Sequence, residues 1–253
     1  MPSKIQAVRQ RLKRLGSVVV AYSGGVDSTL LLKLAKDALG DRVFAVTVVS
    51  PMLPKSQRRS AALMAKEIRA RHRFLKTQDY KKPAVRRNAL DRCYHCKKAL
   101  LIQLKTLARR HGFSAVVDGS NADDLLDDRP GAKAKEELGV ISPLQEAGLT
   151  KKEIRRLSRR YGLSSWNMPA QSCLATRVPF GSRITEERLR RIDLTEERLR
   201  REFHLRGRVR VRDFGKEARI EVDENELGRL RDTVRLRGLL ARFGYDTAKL
   251  SHV

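Results

Sequence analysis

An unbroken apolar run, Val18-Val19-Val20-Ala21-Tyr22, predicts a buried parallel strand. The period then changes: Leu30, Leu31, Leu34, Ala35 and Ala38 recur at helical spacing from Thr29 to Leu39, and Gly40 ends the pattern. The exchange repeats along the chain. Val43 to Val49 is a second apolar run followed by a helix from about Lys55 to Arg69. A short strand is expected around His72 to Lys76, and a helix from about Cys96 to Arg110. Ala115-Val116-Val117 forms a further strand ending at Asp118-Gly119-Ser120-Asn121. Strands alternating with helices predict an α/β fold, a parallel sheet covered by helices on both faces. The loops after Tyr22, Val49 and Val117 then converge at the carboxyl ends of the strands, where ligands gather in such sheets.

Further along, Ser142 to Tyr161 reads as one helix, with Thr150 and Glu153 at capping-box spacing and an apolar stripe of Ile154 and Leu157. The segment from Ile184 to Phe203 duplicates Thr-Glu-Glu-Arg-Leu-Arg-Arg at Thr185 and Thr195. Ten residues rotate the second copy by about 80° on a helix, so the repeat is no coiled-coil heptad. Leu189, Ile192, Leu199 and Phe203 form its buried stripe, and the Glu and Arg residues form a solvated, ion-paired face. Alternation over Val209-Arg210-Val211-Arg212 and Ala218 to Val222 predicts two strands around a turn at Phe214-Gly215-Lys216. The expected organisation is a nucleotide domain over residues 1–165 and a small α+β domain over 166–253, serving substrate binding or oligomerisation.

Composition narrows the partners. Fifty-five Lys and Arg against 29 Asp and Glu give +26, a charge that attracts nucleic acid, phosphorylated small molecules or anionic surfaces. The arginines are spread over helix surfaces rather than gathered in one tract, so charge alone does not choose among these. No run of about 18 apolar residues occurs, so no membrane span is expected. The amino terminus enters a basic amphipathic helix without a secretory pattern, which points to the cytoplasm. Three cysteines, an odd number in a reducing compartment, suit ligands or reactive thiols better than a disulfide framework.

The chemistry concentrates in three places. In the first, strand, glycine pair and helix bring Ser23-Gly24-Gly25-Val26-Asp27-Ser28 to a helix start. There backbone amides, two hydroxyls and the positive end of the dipole form a cradle for pyrophosphate. Asp27 is placed to hold Mg²⁺ against the phosphates or to order the loop. The spacing fits neither the Walker A loop nor the dinucleotide fingerprint. In the second, Asp118 to Asp124, Gly119 permits close approach to a nucleotide, Asn121 positions polar groups, and Asp123 with Asp124 offers Mg²⁺ ligation. The adjoining turn from Asp127 to Gly131 is expected to fold over the nucleotide, whose base should lie near Thr47 to Ser50. In the third, Cys93 and Cys96 share a helix start with Arg92, Lys97 and Lys98, which favour thiolates, and Cys173 comes from elsewhere. Three thiolates suit a [4Fe-4S] cluster with an open iron, a zinc site completed by His95, or a redox pair plus a lone thiol.

The loop Ser23 to Ser28 resembles the SGGxDS loop of the PP-loop ATP pyrophosphatases, which split ATP between its α and β phosphates. From Ser23 to about Val222 the chain is similar to the LarE family, ATP-dependent sulfur transferases of nickel-pincer nucleotide synthesis. The likeness rests on RCYHCK at Arg92, DGSNADD at Asp118, DRPG at Asp128, SPLQEAGLTKKEIR at Ser142 and WNMPAQSCLATRVPFGSRIT at Trp166, in that order. The resemblance implies an adenine nucleotide α-hydrolase-like fold and a substrate, pyridinium-3,5-biscarboxylic acid mononucleotide, whose carboxylates are adenylated and converted to thiocarboxylates. It implies ATP contacts from Ala21, Ser23, Gly24, Gly25, Asp27, Ser28, Thr47, Ser50, Gly119 and Asn121, with Asp27 and Asp123 at the metal. It implies substrate phosphate contacts from Arg177, Arg208, Arg210 and Arg212, and a homo-oligomer fed by an external sulfide source. Cys93, Cys96 and Cys173 match the branch of the family that holds a [4Fe-4S] cluster, whereas a second branch sacrifices the sulfur of one cysteine, here Cys173. Glu197 is a further candidate for the site. Two other readings remain: a PP-loop tRNA thiolase, favoured by charge but not by 5% aromatic content, and a nucleotide-responsive nucleic-acid-binding module, which leaves the cysteines idle.

Overall fold

The computed structural model describes residues 3–125 and 130–252. In chain order the elements are α1 (Lys4–Leu15), β1 (Val18–Ala21), α2 (Val26–Leu39), β2 (Val43–Val49), α3 (Lys55–Glu67) and β3 (Arg71–Lys76). Next come α4 (Pro83–Arg86), α5 (Arg92–Arg110), β4 (Ala115–Asp118), α6 (Pro130–Glu137), α7 (Pro143–Glu146) and α8 (Lys151–Arg160). The carboxyl-terminal part holds α9 (Glu186–Glu202), β5 (Val209–Phe214), β6 (Glu217–Val222), α10 (Thr233–Ala241) and β7 (Thr247–His252). Two compact units result. One comprises Met1–Ser50, Gln57–Asp79 and Asp91–Met168; the other comprises Pro51–Ser56, Tyr80–Leu90 and Pro169–Val253. The carboxyl-terminal unit thus also takes two short segments from the first third of the chain. Among the described residues no helix is long and apolar enough to cross a membrane.

In the first unit the sheet order is β3-β2-β1-β4, and every pairing is parallel. Alternation along β1 assigns its two faces. Val18 and Val20 pack with Leu30, Leu31 and Leu34 of α2 and with Val8 and Leu12 of α1, whereas Val19 packs with Leu101 and Leu104 of α5. Helices therefore cover both sides of the sheet, and the short connections leave β1 and β4 ending side by side, with Ala21 opposite Asp118.

Some boundaries differ from the sequence reading. Helix α2 begins at Val26, three residues before Thr29, so the phosphate loop runs straight into its first turn. Likewise α5 begins at Arg92, which puts both Cys93 and Cys96 inside the helix. The single helix expected over Ser142 to Tyr161 is two, because Gly148 takes φ +67° and turns the chain between α7 and α8. The Thr150–Glu153 capping box is present in full and starts α8.

The second unit has its own core of Leu199, Phe203, Val209, Val211, Ile220, Leu236, Leu240 and Tyr245. Strands β5 and β6 form the expected antiparallel pair, and β7 adds in parallel beside β6. Helix α10 and strand β7 were not anticipated; the last strand, Thr-Ala-Lys-Leu-Ser-His, is half polar and exposed at an edge, where pairing rather than burial defines it.

Candidate active site

The phosphate loop is held from within. Ser23 Oγ and Ser28 Oγ lie 3.0 Å apart, Ser28 Oγ donates to the Gly25 carbonyl at 3.2 Å, and Gly25 N donates to Ser23 Oγ at 3.3 Å. Gln57 closes the loop from α3, its Nε2 donating to the Ser23 carbonyl at 3.2 Å. Gly24 has φ +74°, and a Cβ there would fall 2.6 Å from the Ala61 Cα. Gly25 caps α2 with no side-chain bond to the helix amides, so the first-turn N–H groups stay open to an anion. The β4 loop presses against the same turn, since a Cβ on Gly119 would lie 2.8 Å from Ser28 N.

Lys151, the first residue of α8, ties the two acidic segments together. Its Nζ donates to Asp27 Oδ2 at 2.5 Å, and its backbone N–H donates to Asp123 Oδ2 at 2.9 Å. Asn121 is buried, with its Oδ1 accepting the Asp123 N–H at 2.9 Å. Asp27 Oδ1 is buried and has no hydrogen-bond partner, the kind of orphaned oxygen that a bound cation satisfies. Mg²⁺ therefore fits this place, with Asp27 and Asp123 as its protein ligands.

Behind the loop, Asp118 is buried and accepts from Lys97 Nζ at 3.1 Å and Ser142 Oγ at 2.7 Å, with Lys135 Nζ at 3.9 Å. Burial alone would raise its pKa, but the two ammonium groups and the Ser142 hydroxyl outweigh burial and hold it below the usual carboxylate value. A cavity of about 550 Å³ opens beside it, lined by Lys97, Ser120, Lys135, Ser142 and Gln145 among others.

Cys93 is exposed and Cys96 half-buried, one helical turn apart at the start of α5. Arg92 Nη2 lies 3.4 Å from Cys93 Sγ, and His95 Nε2 is 3.0 Å from Asp91 Oδ2, which occupies one nitrogen of the ring that a zinc site would use. Among the described residues no three His, Cys, Asp or Glu side chains are arranged to hold a metal.

In the second unit Cys173 precedes a short turn ending at Arg177, which is buried and fully engaged. Its Nε donates to Glu196 Oε1 at 2.9 Å and its Nη2 to Glu196 Oε2 at 3.3 Å. On the other side Nη1 reaches the Ser172 hydroxyl at 2.6 Å and the Cys173 carbonyl at 3.2 Å. Arg212 is ion-paired with Glu221 and donates to the Thr176 carbonyl at 3.2 Å. Arg208 Nε donates no hydrogen bond and lies 3.9 Å from Asp223 Oδ1. Partial burial, together with Arg177, Arg208 and Arg212, pushes the pKa of Arg210 down, as expected where like charges crowd without a full complement of anions.

A family model described as NAD synthase matches residues 3–93. The pyridinium-3,5-bisthiocarboxylic acid mononucleotide synthase of Lactiplantibacillus plantarum is 36% identical over 218 residues, covering 86% of this chain and 78% of that protein. The chain belongs to the LarE family. It is accordingly an ATP-using enzyme of the PP-loop superfamily, and the parallel sheet, phosphate loop and added small domain described above are that fold. The uncharacterized protein slr1717 of Synechocystis is 38% identical over 100% of this chain and 98% of its own length. A glutamine-hydrolyzing GMP synthase polypeptide of Archaeoglobus fulgidus is 27% identical over 70% of this chain and 58% of its own length.

Against the residues expected from sequence, the fold brings Ala21, Ser23, Gly24, Gly25, Asp27, Ser28, Gly119, Asn121 and Asp123 to one end of the first sheet, with half-buried Ser50 just past the end of β2. Two expectations change for this LarE chain. Thr47 is 1% exposed and its Oγ1 pairs with His72 Nε2 at 2.8 Å, so its hydroxyl does not face a nucleotide. Arg177 has its guanidinium committed to Glu196 and the Cys173 turn, a positioning role rather than a free phosphate contact. The duplicated segment, read as a solvated face, buries Glu196 instead of Glu197: Glu196 Oε1 also accepts the Val211 N–H at 3.0 Å. The expected fold-over of Asp127 to Gly131 lies largely outside the described residues. Lys151 and Glu196 were missed as functional residues. The capping box marks where Lys151 starts its helix, but nothing local marks its partner.

Proposed function

We propose that this enzyme adenylates the carboxylates of pyridinium-3,5-biscarboxylic acid mononucleotide and replaces their activated oxygen with sulfur. The observation that supports this most is the phosphate loop, with open α2 amides and an orphaned Asp27 oxygen, in a chain whose relative is named for the bisthiocarboxylate product. A substrate carboxylate oxygen attacks the α-phosphorus of ATP, the bond to the bridging α–β oxygen breaks, and pyrophosphate leaves. The loop amides and the Ser23 and Ser28 hydroxyls take up the charge that develops on the leaving group. Mg²⁺ bound with ATP supplies additional charge neutralisation there. The acyl-adenylate is then open to a sulfur nucleophile, which forms the C–S bond and expels AMP.

For sulfur delivery we propose Cys93, Cys96 and Cys173 as ligands of a [4Fe-4S] cluster. Three thiol sulfurs match its donor chemistry, and two of them share the basic first turn of α5. Such a cluster supplies an open iron on which a sulfide from an external source can be carried. Arg208, Arg210 and Arg212 are the proposed contacts of the substrate phosphate, supported by the free Arg208 Nε. The small unit over 166–253 is read as the substrate-binding and oligomerisation domain of a cytoplasmic homo-oligomer, a compartment that keeps three thiols reduced.

The test is mass spectrometry of products after anaerobic incubation of iron- and sulfide-reconstituted protein with Mg-ATP, sulfide and the mononucleotide, with unmodified tRNA in a parallel tube. Repeated exchange of oxygen for sulfur in the mononucleotide supports the proposal. One turnover with loss of the Cys173 sulfur shows a sacrificial cysteine instead. Sulfur in tRNA alone overturns the substrate and makes the +26 charge part of its site.

A further inference from the structure

The pairing of Lys151 with Asp27 has no role in the reaction described above, yet it sits at the place that reaction needs for a metal. The backbone of Lys151 is fixed three ways: by the α8 capping box, where Glu153 Oε2 accepts the Thr150 N–H at 2.9 Å; by Thr150 Oγ1, which accepts the Glu153 N–H at 3.3 Å; and by Asp123, which accepts the Lys151 N–H. Only its side chain is left to move. That side chain spans 124 positions of sequence to put an ammonium on Asp27 Oδ2, while the second oxygen of the same carboxylate is buried without a partner. A lysine ammonium carries three donors and satisfies one carboxylate oxygen here, whereas a divalent cation prefers carboxylate oxygen and brings twice the charge.

We propose that Lys151 is the resident counter-cation of Asp27 in the nucleotide-free enzyme, that Mg²⁺ arriving with ATP displaces it, and that the freed ammonium then serves the leaving pyrophosphate. This rests on the reading of the loop as the Mg-ATP site. The exchange has a physical advantage. An uncompensated Asp27 would repel the triphosphate, and Lys151 keeps the loop neutral at that point until the metal takes over. It also fixes an order, because metal without nucleotide must compete with a tethered ammonium.

The competition is measured without substrate, by Mn²⁺ binding followed by electron paramagnetic resonance in nucleotide-free protein. Lys151→Gln should bind Mn²⁺ about fivefold more tightly than wild type, the scale of one partly exposed ion pair. Lys151→Arg, which keeps the pair, should stay near wild type, and Asp27→Asn should lose the binding in either background. In the same Lys151→Gln protein, pyrophosphate release from Mg-ATP should be slower. Tighter metal with slower release is the signature, since a merely structural lysine would weaken both. Equal or weaker Mn²⁺ binding by folded Lys151→Gln overturns the proposal. A second measurement uses the wild-type chain alone: saturating Mn²⁺ should raise the rate of reductive methylation of Lys151, read by peptide mass spectrometry, and an unchanged rate overturns it. Failure of sulfur transfer in the wild type bears on the proposed function and leaves this metal competition untouched.

Discussion

Gly24→Ala tests whether the phosphate loop depends on backbone that only glycine supplies. The residue sits at φ +74°, where an L side chain costs about 1–2 kcal/mol. Its new Cβ would stand 2.6 Å from the Ala61 Cα and 2.7 Å from the Ala61 N, both backbone atoms of α3 that have no rotamer to yield. Overpacking of this kind costs about 1–3 kcal/mol, so the two effects together come to about 3 kcal/mol. For a unit of this size that lowers the melting temperature by about 6–12 °C. The strain can also be relieved by moving the loop off α3, which would misplace the Gly25 and α2 amides and weaken ATP binding. Gly112→Ala is the control: φ is +70°, but nothing lies within 4 Å of its Cβ, so only the backbone cost applies. Calorimetric melts with and without Mg-ATP, together with ATP titration, separate these effects. The expected result is a larger loss for Gly24→Ala than for Gly112→Ala, with ligand stabilisation lost only in the former. Equal melting shifts with unchanged ATP affinity would refute the argument.

Cys173→Ala should abolish sulfur transfer and leave pyrophosphate release largely intact, as followed by a coupled phosphate assay beside product mass spectrometry; loss of both would contradict separate roles for activation and delivery. Glu196→Gln leaves the buried Arg177 guanidinium without its counter-charge, which costs about 3 kcal/mol in a urea melt. The same change should reduce sulfur transfer more than pyrophosphate release, because Arg177 holds the Cys173 turn. Asp118 titrates below its ordinary 3.8 in the folded protein, so its carboxylate adds stability that is full above that value and is lost as pH falls through the folded pKa. Acid titrations should therefore show Asp118→Asn flattening the loss of stability below about pH 4.

Much of the site was legible before any coordinates, and the reason is locality. Val18 to Ser28 encodes strand, turn and helix within a dozen positions, and a helix start after glycines is an anion site wherever it occurs. The alternation of periods likewise determined a parallel sheet with both faces covered, because each element's burial is written in its own spacing. Thr150 and Glu153 announced a helix start that the structure reproduces in full. What lay beyond reach was every contact between residues far apart in the chain. Lys151 meets Asp27 across 124 positions, and Arg177 selects Glu196 rather than Glu197 because the roll of α9 turns one and not the other inward. Thr47 looked available at a strand end until the register placed His72 beside it. Hydrophobic spacing assigns an element and its buried face. The partner of a charged side chain is decided by how those faces dock, since an ion pair is strong only where packing has already excluded water and fixed both ends.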